Sequence, residues 1–225
     1  MAIALLADAH VGGPGGRGDD LARELAELDP VHCELLLVLG DLFHVWVGDR
    51  RYETEEIRRL LPVLDDVRRR GIETRYLEGN RDFFLEDSVY ASRFDSVARE
   101  HAFERAGVRY LAVHGDGLDD RDWRYRFWRR ASKNPVSRAA ARRLPGRLAR
   151  RWVHSMDRRL AKTNFEHKIR IPEAVIKRYA ESRLAEGHDV LLLGHFHQSR
   201  RFVVNGGEVR IVDAWFRARR LEWLP

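Results

Sequence analysis

The sequence predicts an α/β fold, and three observations lead there. Residues 35–39, Leu-Leu-Leu-Val-Leu, are apolar at every position, as in a parallel strand covered on both faces. Stretches of helical periodicity separate this run from others like it, the alternation that builds α/β layers. Each run also stops at a small polar cluster, here Gly40-Asp41, and strand ends are where open α/β sheets bind ligands. Alone, Asp41 reads more readily as a turn or helix-cap residue than as a catalyst.

The chain in order supports this class. Residues 2–8, Ala-Ile-Ala-Leu-Leu-Ala-Asp, read as a first strand ending in Asp8-Ala9-His10. A basic leader is missing ahead of it, so a signal peptide is not expected. The Gly-rich loop from Val11 to Gly18 lacks the Gly-Lys-Ser/Thr of a P-loop. Residues 19–29 have a helical spacing through Leu21, Leu25 and Leu28, with Asp19 or Asp20 as cap and Pro30 beyond the end. The run ending at Asp41 is the second strand, followed by an apolar loop. Glu53 to Arg70 is an amphipathic helix stopped by Gly71, with Pro62 predicting a kink or two pieces.

A third strand covers Glu73 to Leu77 and closes at Gly79-Asn80-Arg81-Asp82. Residues 86–106 read as mainly helical. Val108 to Val113 is a fourth strand, ending in His114-Gly115-Asp116. Residues 119–186 carry helical signals, divided at Pro135 and Pro145-Gly146, and are expected to form a basic helical cap inserted in a single domain spanning 1–225. Asp189 to Leu193 is a fifth strand, followed by Gly194-His195-Phe196-His197. Two strands flanking Asn205-Gly206-Gly207 read as a hairpin, and Leu221 to Leu224 as a last strand.

Bulk properties narrow the function. At 225 residues, with 44% hydrophobic and 34% charged residues, the chain reads as a soluble globular protein. No apolar run approaches the ~20 residues of a membrane span. Cys33 is the single cysteine, which excludes an internal disulfide and leaves any metal site to His, Asp, Glu and Asn. The net charge is +6, but residues 119–170 hold 17 Lys and Arg against 5 Asp and Glu. Such a concentration suits an anionic partner or, more plainly, solvated helix faces.

The strand ends together deliver Asp8 and His10, Asp41, Asn80, His114, and His195 with His197. Asp8-x-His10 and His195-x-His197 would present both side chains to one side if the strands continue through them. Imidazole and carboxylate without thiolate suit manganese, iron, zinc or cobalt. Seven ligands exceed one tetrahedral zinc, whereas two metals sharing a carboxylate, typically ~3.5–4 Å apart, absorb them.

The ordered motifs D-x-H, G-D, G-N, H-G-D and G-H-x-H resemble the calcineurin-like metallophosphoesterases over nearly the whole chain outside the basic insert. The resemblance implies a four-layer α/β/β/α sandwich of mixed sheets and a dinuclear site at the strand ends. It implies that Asp8, His10, Asp41 and His197 hold one metal and Asp41, Asn80, His114 and His195 the other, with Asp41 as bridge. Gly79-Asn80-Arg81-Asp82-Phe83, Gly40-Asp41-Leu42-Phe43 with Trp46 and Gly48-Asp49, and the Ala214-Trp215 pair are similar to a branch acting in lipid A synthesis. That branch cleaves the pyrophosphate of UDP-2,3-diacylglucosamine to UMP and 2,3-diacylglucosamine 1-phosphate (lipid X). Its likeness implies two divalent ions, manganese foremost, and a place in the cytoplasm on the inner-membrane surface of a Gram-negative bacterium.

The same likeness implies that Asp41, Asn80, Arg81 and His114 are catalytic. It also implies that Asn80, Arg81, Asp122, Tyr125, Asn164, Lys168 and His195 bind substrate. Arg81 offers a planar, permanently charged fork for phosphate, and its plain alternative is a surface salt bridge with Asp82. Asp116 and Asp213 could orient ligand imidazoles. His44 stands where that branch commonly has an acidic residue. The cap's Trp and Phe residues, interleaved with Arg, suit acyl chains and phosphates, an anionic lipid surface, or simply the cap's own core. Two other function classes stay open: another phosphodiesterase or nuclease whose cap grips a nucleic-acid backbone, and a non-catalytic metal-binding scaffold.

Overall fold

The computed structural model describes residues 2–149, 151–153, 155 and 171–224. The fold is the expected α/β/β/α sandwich. One sheet has the order β12-β1-β2-β4-β6, built from β1 (Ala2–Leu6), β2 (Cys33–Val38), β4 (Glu73–Leu77), β6 (Ser96–Ala98) and β12 (Glu222–Leu224). Its four leading strands run parallel and β12 joins antiparallel along β1. The other sheet has the order β10-β11-β9-β8-β7, from β7 (Glu100–Arg105), β8 (Val108–Val113), β9 (Val190–Leu193), β10 (Arg200–Val204) and β11 (Gly207–Ile211). Here β9 is parallel to both neighbours and the two edge strands return antiparallel.

The layering explains the unbroken apolar run of β2. Leu36 and Val38 pack with Leu21 and Leu25 of α1 (Gly18–Ala26) and Ile57, Leu60 and Leu64 of α2 (Glu55–Arg69). Leu35 and Leu37 pack instead with Ala112 and Leu192 of the opposite sheet. Strand side chains alternate between faces, so a strand between two cores must be apolar at every position. Each such leucine contributes ~1.5–3 kcal/mol through burial. The outer face of the second sheet is covered by α5 (Glu173–Ala185), through Ile176 and Ala180 against Leu191 and Leu193.

Three local expectations are corrected. Helix α2 is one element across Pro62, not two pieces. Pro62 is exposed, so its missing hydrogen bond falls on the solvent side, and burial of Ile57, Leu60, Leu61, Leu64 and Val67 outweighs the ~3 kcal/mol penalty. Residues 86–106 are not helical. They hold a short 3-10 turn, β6 and β7, with exposure alternating along β7. Ala106 and Gly107 both take positive φ, +50° and +77°, and so make the two-residue turn that joins β7 to β8. Asp19 and Asp20 lie in the first turn of α1 rather than capping it, where their charge suits the helix dipole.

The hairpin at Asn205-Gly206 forms as expected, with Val204 paired to Gly207. The basic region contributes α3 (Trp123–Ser132), α4 (Pro135–Arg143) and helical turns at residues 146–149 and 151–153. These helices rest on a small ribbon of β3 (Trp46–Val47) and β5 (Asp82–Phe83), with Ala149 and Val153 buried against Val45, Val47, Tyr52 and Phe83. Trp123 and Phe127 stay 69% exposed, so they are not the core of this region. No helix among the described residues is long and apolar enough to cross a membrane.

Candidate metal centre

Strands β1, β2 and β4 of one sheet and β8 and β9 of the other end at the same place, and all seven proposed ligands gather there. His10 Nε2 lies 3.1 Å from His197 Nε2 and 3.6 Å from Asp8 Oδ1, and His197 Nε2 is 3.1 Å from Asp8 Oδ1. Beside this trio, His114 Nε2 is 3.2 Å from Asn80 Oδ1 and 3.7 Å from Asp41 Oδ1. Asp8, Asp41 and His114 also offer mutually close ligand atoms, so Asp8 is common to both groups. The His195 ring stands edge-on to that of His114, and its backbone N–H donates to Asp8 Oδ2 over 2.6 Å.

The mechanism of convergence differs from the extended pleat expected. Asp8, His10, Asp41, His195 and His197 all have positive φ, between 47° and 67°. Non-glycine residues pay ~1–2 kcal/mol each for the left-handed region, and such strain gathers at functional sites. The chain leaves β1, β2 and β9 through left-handed residues, and this turns both members of each x-spaced pair inward.

Two glycines make the approach feasible. Gly40 has φ +90°, and a Cβ there would fall 2.6 Å from His114 Nδ1. A Cβ on Gly79 would lie 2.2 Å from Asp41 Oδ1. Asp82 ties the two glycine loops together from beneath. Its Oδ2 accepts from the backbone N–H groups of Asp41 (3.0 Å) and Gly79 (2.8 Å) and from the Tyr76 hydroxyl (2.9 Å). Burial, reinforced by the Asp41 carboxylate, pushes the Asp82 carboxyl up to about 7.

The donor set fits divalent ions. Asp41 Oδ2 is buried and receives no hydrogen bond among the described residues. His114 Nδ1 donates to the Leu39 carbonyl, which leaves Nε2 as a lone pair facing Asn80 and Asp41. Burial works against a charged His114, but the carboxylates of Asp41, Asp8 and Asp116 outweigh it and raise its pKa. A cation placed among these groups relieves the same unbalanced negative charge.

Other predicted residues lie around this centre in different ways. The Arg81 side chain is fully buried rather than on the surface, and Asp82 Oδ2 is turned to the N–H groups of Asp41 and Gly79. Its Nη1 donates to the His44 carbonyl and lies 2.7 Å from His44 Nδ1, while its Nε is 3.6 Å from Asp41 Oδ2. His44 thus packs between Arg81 and His10. Asp122 caps α3, accepting from the Tyr125 N–H over 2.9 Å. The Tyr125 hydroxyl and Arg129 bond the Asp116 carboxylate. Burial opposes charge on Asp116, but His114, Arg129 and Lys133 hold it down at about 2. The Asp213 carboxylate accepts from the Ala214 N–H. Asn164 and Lys168 lie outside the described residues.

Sequence reasoning missed three residues. Asp82 is one. Phe216 packs its ring 5.5 Å from that of His10 and 5.0 Å from that of His197, shielding the first group; its signal was the adjacent Ala214-Trp215 pair. Lys133 donates to the Gly79 carbonyl over 2.6 Å, and no local motif marked it.

No protein-family model matches the sequence. A UDP-2,3-diacylglucosamine hydrolase of Azotobacter vinelandii is 31% identical over 231 residues, covering 96% of this chain and 92% of its own. The chain belongs to the UDP-2,3-diacylglucosamine hydrolase family. A second member, from Yersinia pestis bv. Antiqua, is 29% identical over 187 residues, covering 83% of this chain and 76% of its own. The family is one of hydrolases, and the metallophosphoesterase character carried by the five motifs stands with it. Among solved structures, a protein of unknown function from Aquifex aeolicus superposes with a TM-score of 0.52 at 14% identity, covering 99% of this chain and 95% of its own, a likeness of fold.

Proposed function

We propose that this hydrolase cleaves the pyrophosphate of UDP-2,3-diacylglucosamine to UMP and 2,3-diacylglucosamine 1-phosphate, using two divalent ions with manganese as the working metal. The observation that carries the substrate is an apolar cavity of about 400 Å³ between the basic helices and the ribbon, walled by Val47, Phe83, Trp128, Ala141, Leu144 and Trp152. Phe83 follows Asn80 by three residues, so an acyl chain in this cavity would leave its sugar phosphate beside the ligand cluster. On this reading residues 1–225 are one phosphoesterase domain and 119–186 its cap, with α5 shared with the sandwich.

Asp8, His10, Asp41, Asn80, His114, His195 and His197 would hold the ions, with Asp41 shared between them. When bound, the ions would supply a water of lowered pKa and a clamp on the phosphoryl oxygens. The protein does the rest. The Leu39 carbonyl fixes the His114 tautomer, Asp82 fixes the Asp41 backbone, and Phe216 keeps water from one flank. Arg81 balances the Asp41 carboxylate from the buried side and meets substrate only by leaving His44. A phosphate leaving group needs little protonation, so the absence of a histidine at position 81 suits an anhydride. Exposed Trp123 and Phe127 among arginines support placement on an anionic membrane face in the cytoplasm.

The test is release of UMP from UDP-2,3-diacylglucosamine by the purified chain. Activity should vanish with chelator, return with manganese, and be lost in Asp41→Ala. Cleavage of bis-p-nitrophenyl phosphate or single-stranded DNA without UMP release would favour the nuclease reading suggested by the basic cap. A protein that binds no metal would favour a scaffold.

A further inference from the structure

Two cations of the basic helices reach loops that carry the ligands. Arg129 is held by Asp116. Lys133, at the C-terminal end of α3, is different. Its ammonium donates to the Gly79 carbonyl, one residue before Asn80, and stands 5.2 Å from the centre of the Phe83 ring. Phe83 is a wall of the apolar cavity. The ammonium therefore sits at the junction between cavity and ligand cluster. A lysine carries three N–H donors, and Gly79 is its one hydrogen-bond acceptor among the described residues. Arg81, another cation beside the centre, is fully buried and turned onto His44.

We propose that Lys133 binds the substrate phosphate on the side that bears the apolar group, donating its two remaining N–H bonds to that phosphate's oxygens. This assignment rests on the pyrophosphatase reading above. It also orients the substrate: the phosphate leaving with the lipid faces α3, and the other faces the open side of the cluster. Three features favour a phosphate over a structural role alone. Burial and the neighbouring Arg129 lower the pKa of Lys133 by more than Asp116, Asp82 and Glu78 raise it, so the ammonium is incompletely balanced where it stands and an anion beside it would stabilise it. A lysine committed only to one carbonyl would leave two donors of a half-buried ammonium without a protein acceptor among the described residues. Its aromatic neighbour contributes a cation–π contact that holds the ammonium in place without occupying its donors.

Octyl phosphate joins the two features that Lys133 is placed between, and its binding to the manganese-loaded full chain can be read by calorimetry. Lys133→Met should weaken it by about tenfold or more, the effect of losing hydrogen bonds to a charged group, and Lys133→Arg should recover part of the loss. In turnover of UDP-2,3-diacylglucosamine, Lys133→Met should raise KM more than it lowers kcat, with two metals retained. Unchanged octyl phosphate affinity in Lys133→Met overturns the proposal. So does loss of a metal in that variant, because Lys133 would then act through Gly79 on Asn80. If the wild type fails to release UMP, yet octyl phosphate binding still depends on Lys133, the substrate reading falls and the phosphate site stands.

Discussion

His114 Nδ1 donates to the carbonyl oxygen of Leu39 over 2.6 Å, joining the end of β8 in one sheet to the end of β2 in the other. One bond thus sets the tautomer of a proposed ligand and ties together the two sheets whose strand ends form the candidate centre. His114→Ala should remove one of the two proposed metals and lower activity by more than the ~10–100-fold typical of losing an outer partner. Metal analysis should still find one equivalent, held by Asp8, His10 and His197.

Gly79→Ala tests the close approach of the loops. The new methyl would fall 2.2 Å from Asp41 Oδ1 and 2.9 Å from His114 Cε1. Neither neighbour is free to retreat, so a stability loss of ~1–3 kcal/mol is expected in urea unfolding, together with weakened metal binding. An equal midpoint and full metal content would show that the loops are looser than described.

Asp82 and Tyr76 form a graded pair of variants. Tyr76→Phe removes one of three donors to Asp82 Oδ2 and the acceptor of the Leu42 N–H, and should cost about 1–3 kcal/mol. Asp82→Ala leaves the N–H groups of Asp41 and Gly79 buried without an acceptor, and should cost ~2–6 kcal/mol. Circular-dichroism melts of the metal-free proteins rank the two, and the reverse order would remove Asp82 from its role as the tie beneath the centre.

Asp116 predicts a pH dependence. Its folded pKa of about 2 lies below the usual 3.8. A depressed carboxyl contributes stability that is complete above the unfolded value and disappears as the pH falls through the folded one. Asp116→Asn should therefore lower the stability of the metal-free chain by about 2 kcal/mol at neutral pH. The gap to wild type should close between pH ~4 and ~2, as followed by urea midpoints. A gap that persists at the acid end would assign the loss to packing with Tyr125 and Arg129.

Trp128→Ala enlarges the apolar cavity without touching a ligand. KM for UDP-2,3-diacylglucosamine should rise about tenfold, the order expected from losing ~1–3 kcal/mol of apolar contact, while hydrolysis of bis-p-nitrophenyl phosphate should be unchanged. Equal losses on both substrates would place the acyl chains elsewhere.

The parts of this molecule that were legible in sequence are those where one residue type has one physical use. Leu35 to Leu39 had to be buried on both faces, and the strand between two cores is what the structure contains. The ligand types at five strand ends were legible because histidine and carboxylate seldom follow apolar strands in such number. Strands β6 and β7 were not legible. Glu100 to Arg105 carries the charge and alanine of a helix, and its turn begins with Ala106 rather than the Asn or Asp that marks two-residue hairpins. Tertiary pairing with β8 overrides the local preference. Lys133 was invisible for another reason: its meaning lies in Gly79, 54 residues away.

The spacing of the first ligand group has a consequence for biosynthesis. His197 and Asp8, whose ligand atoms lie 3.1 Å apart, are separated by 189 positions in the chain. Non-local contacts of this kind form late and slowly. A growing chain on the ribosome holds Asp8 and His10 long before their partner exists, so the ion cannot serve as a nucleus for folding. The sandwich is then expected to close before the proposed centre is loaded, so that metal would be captured by the finished protein.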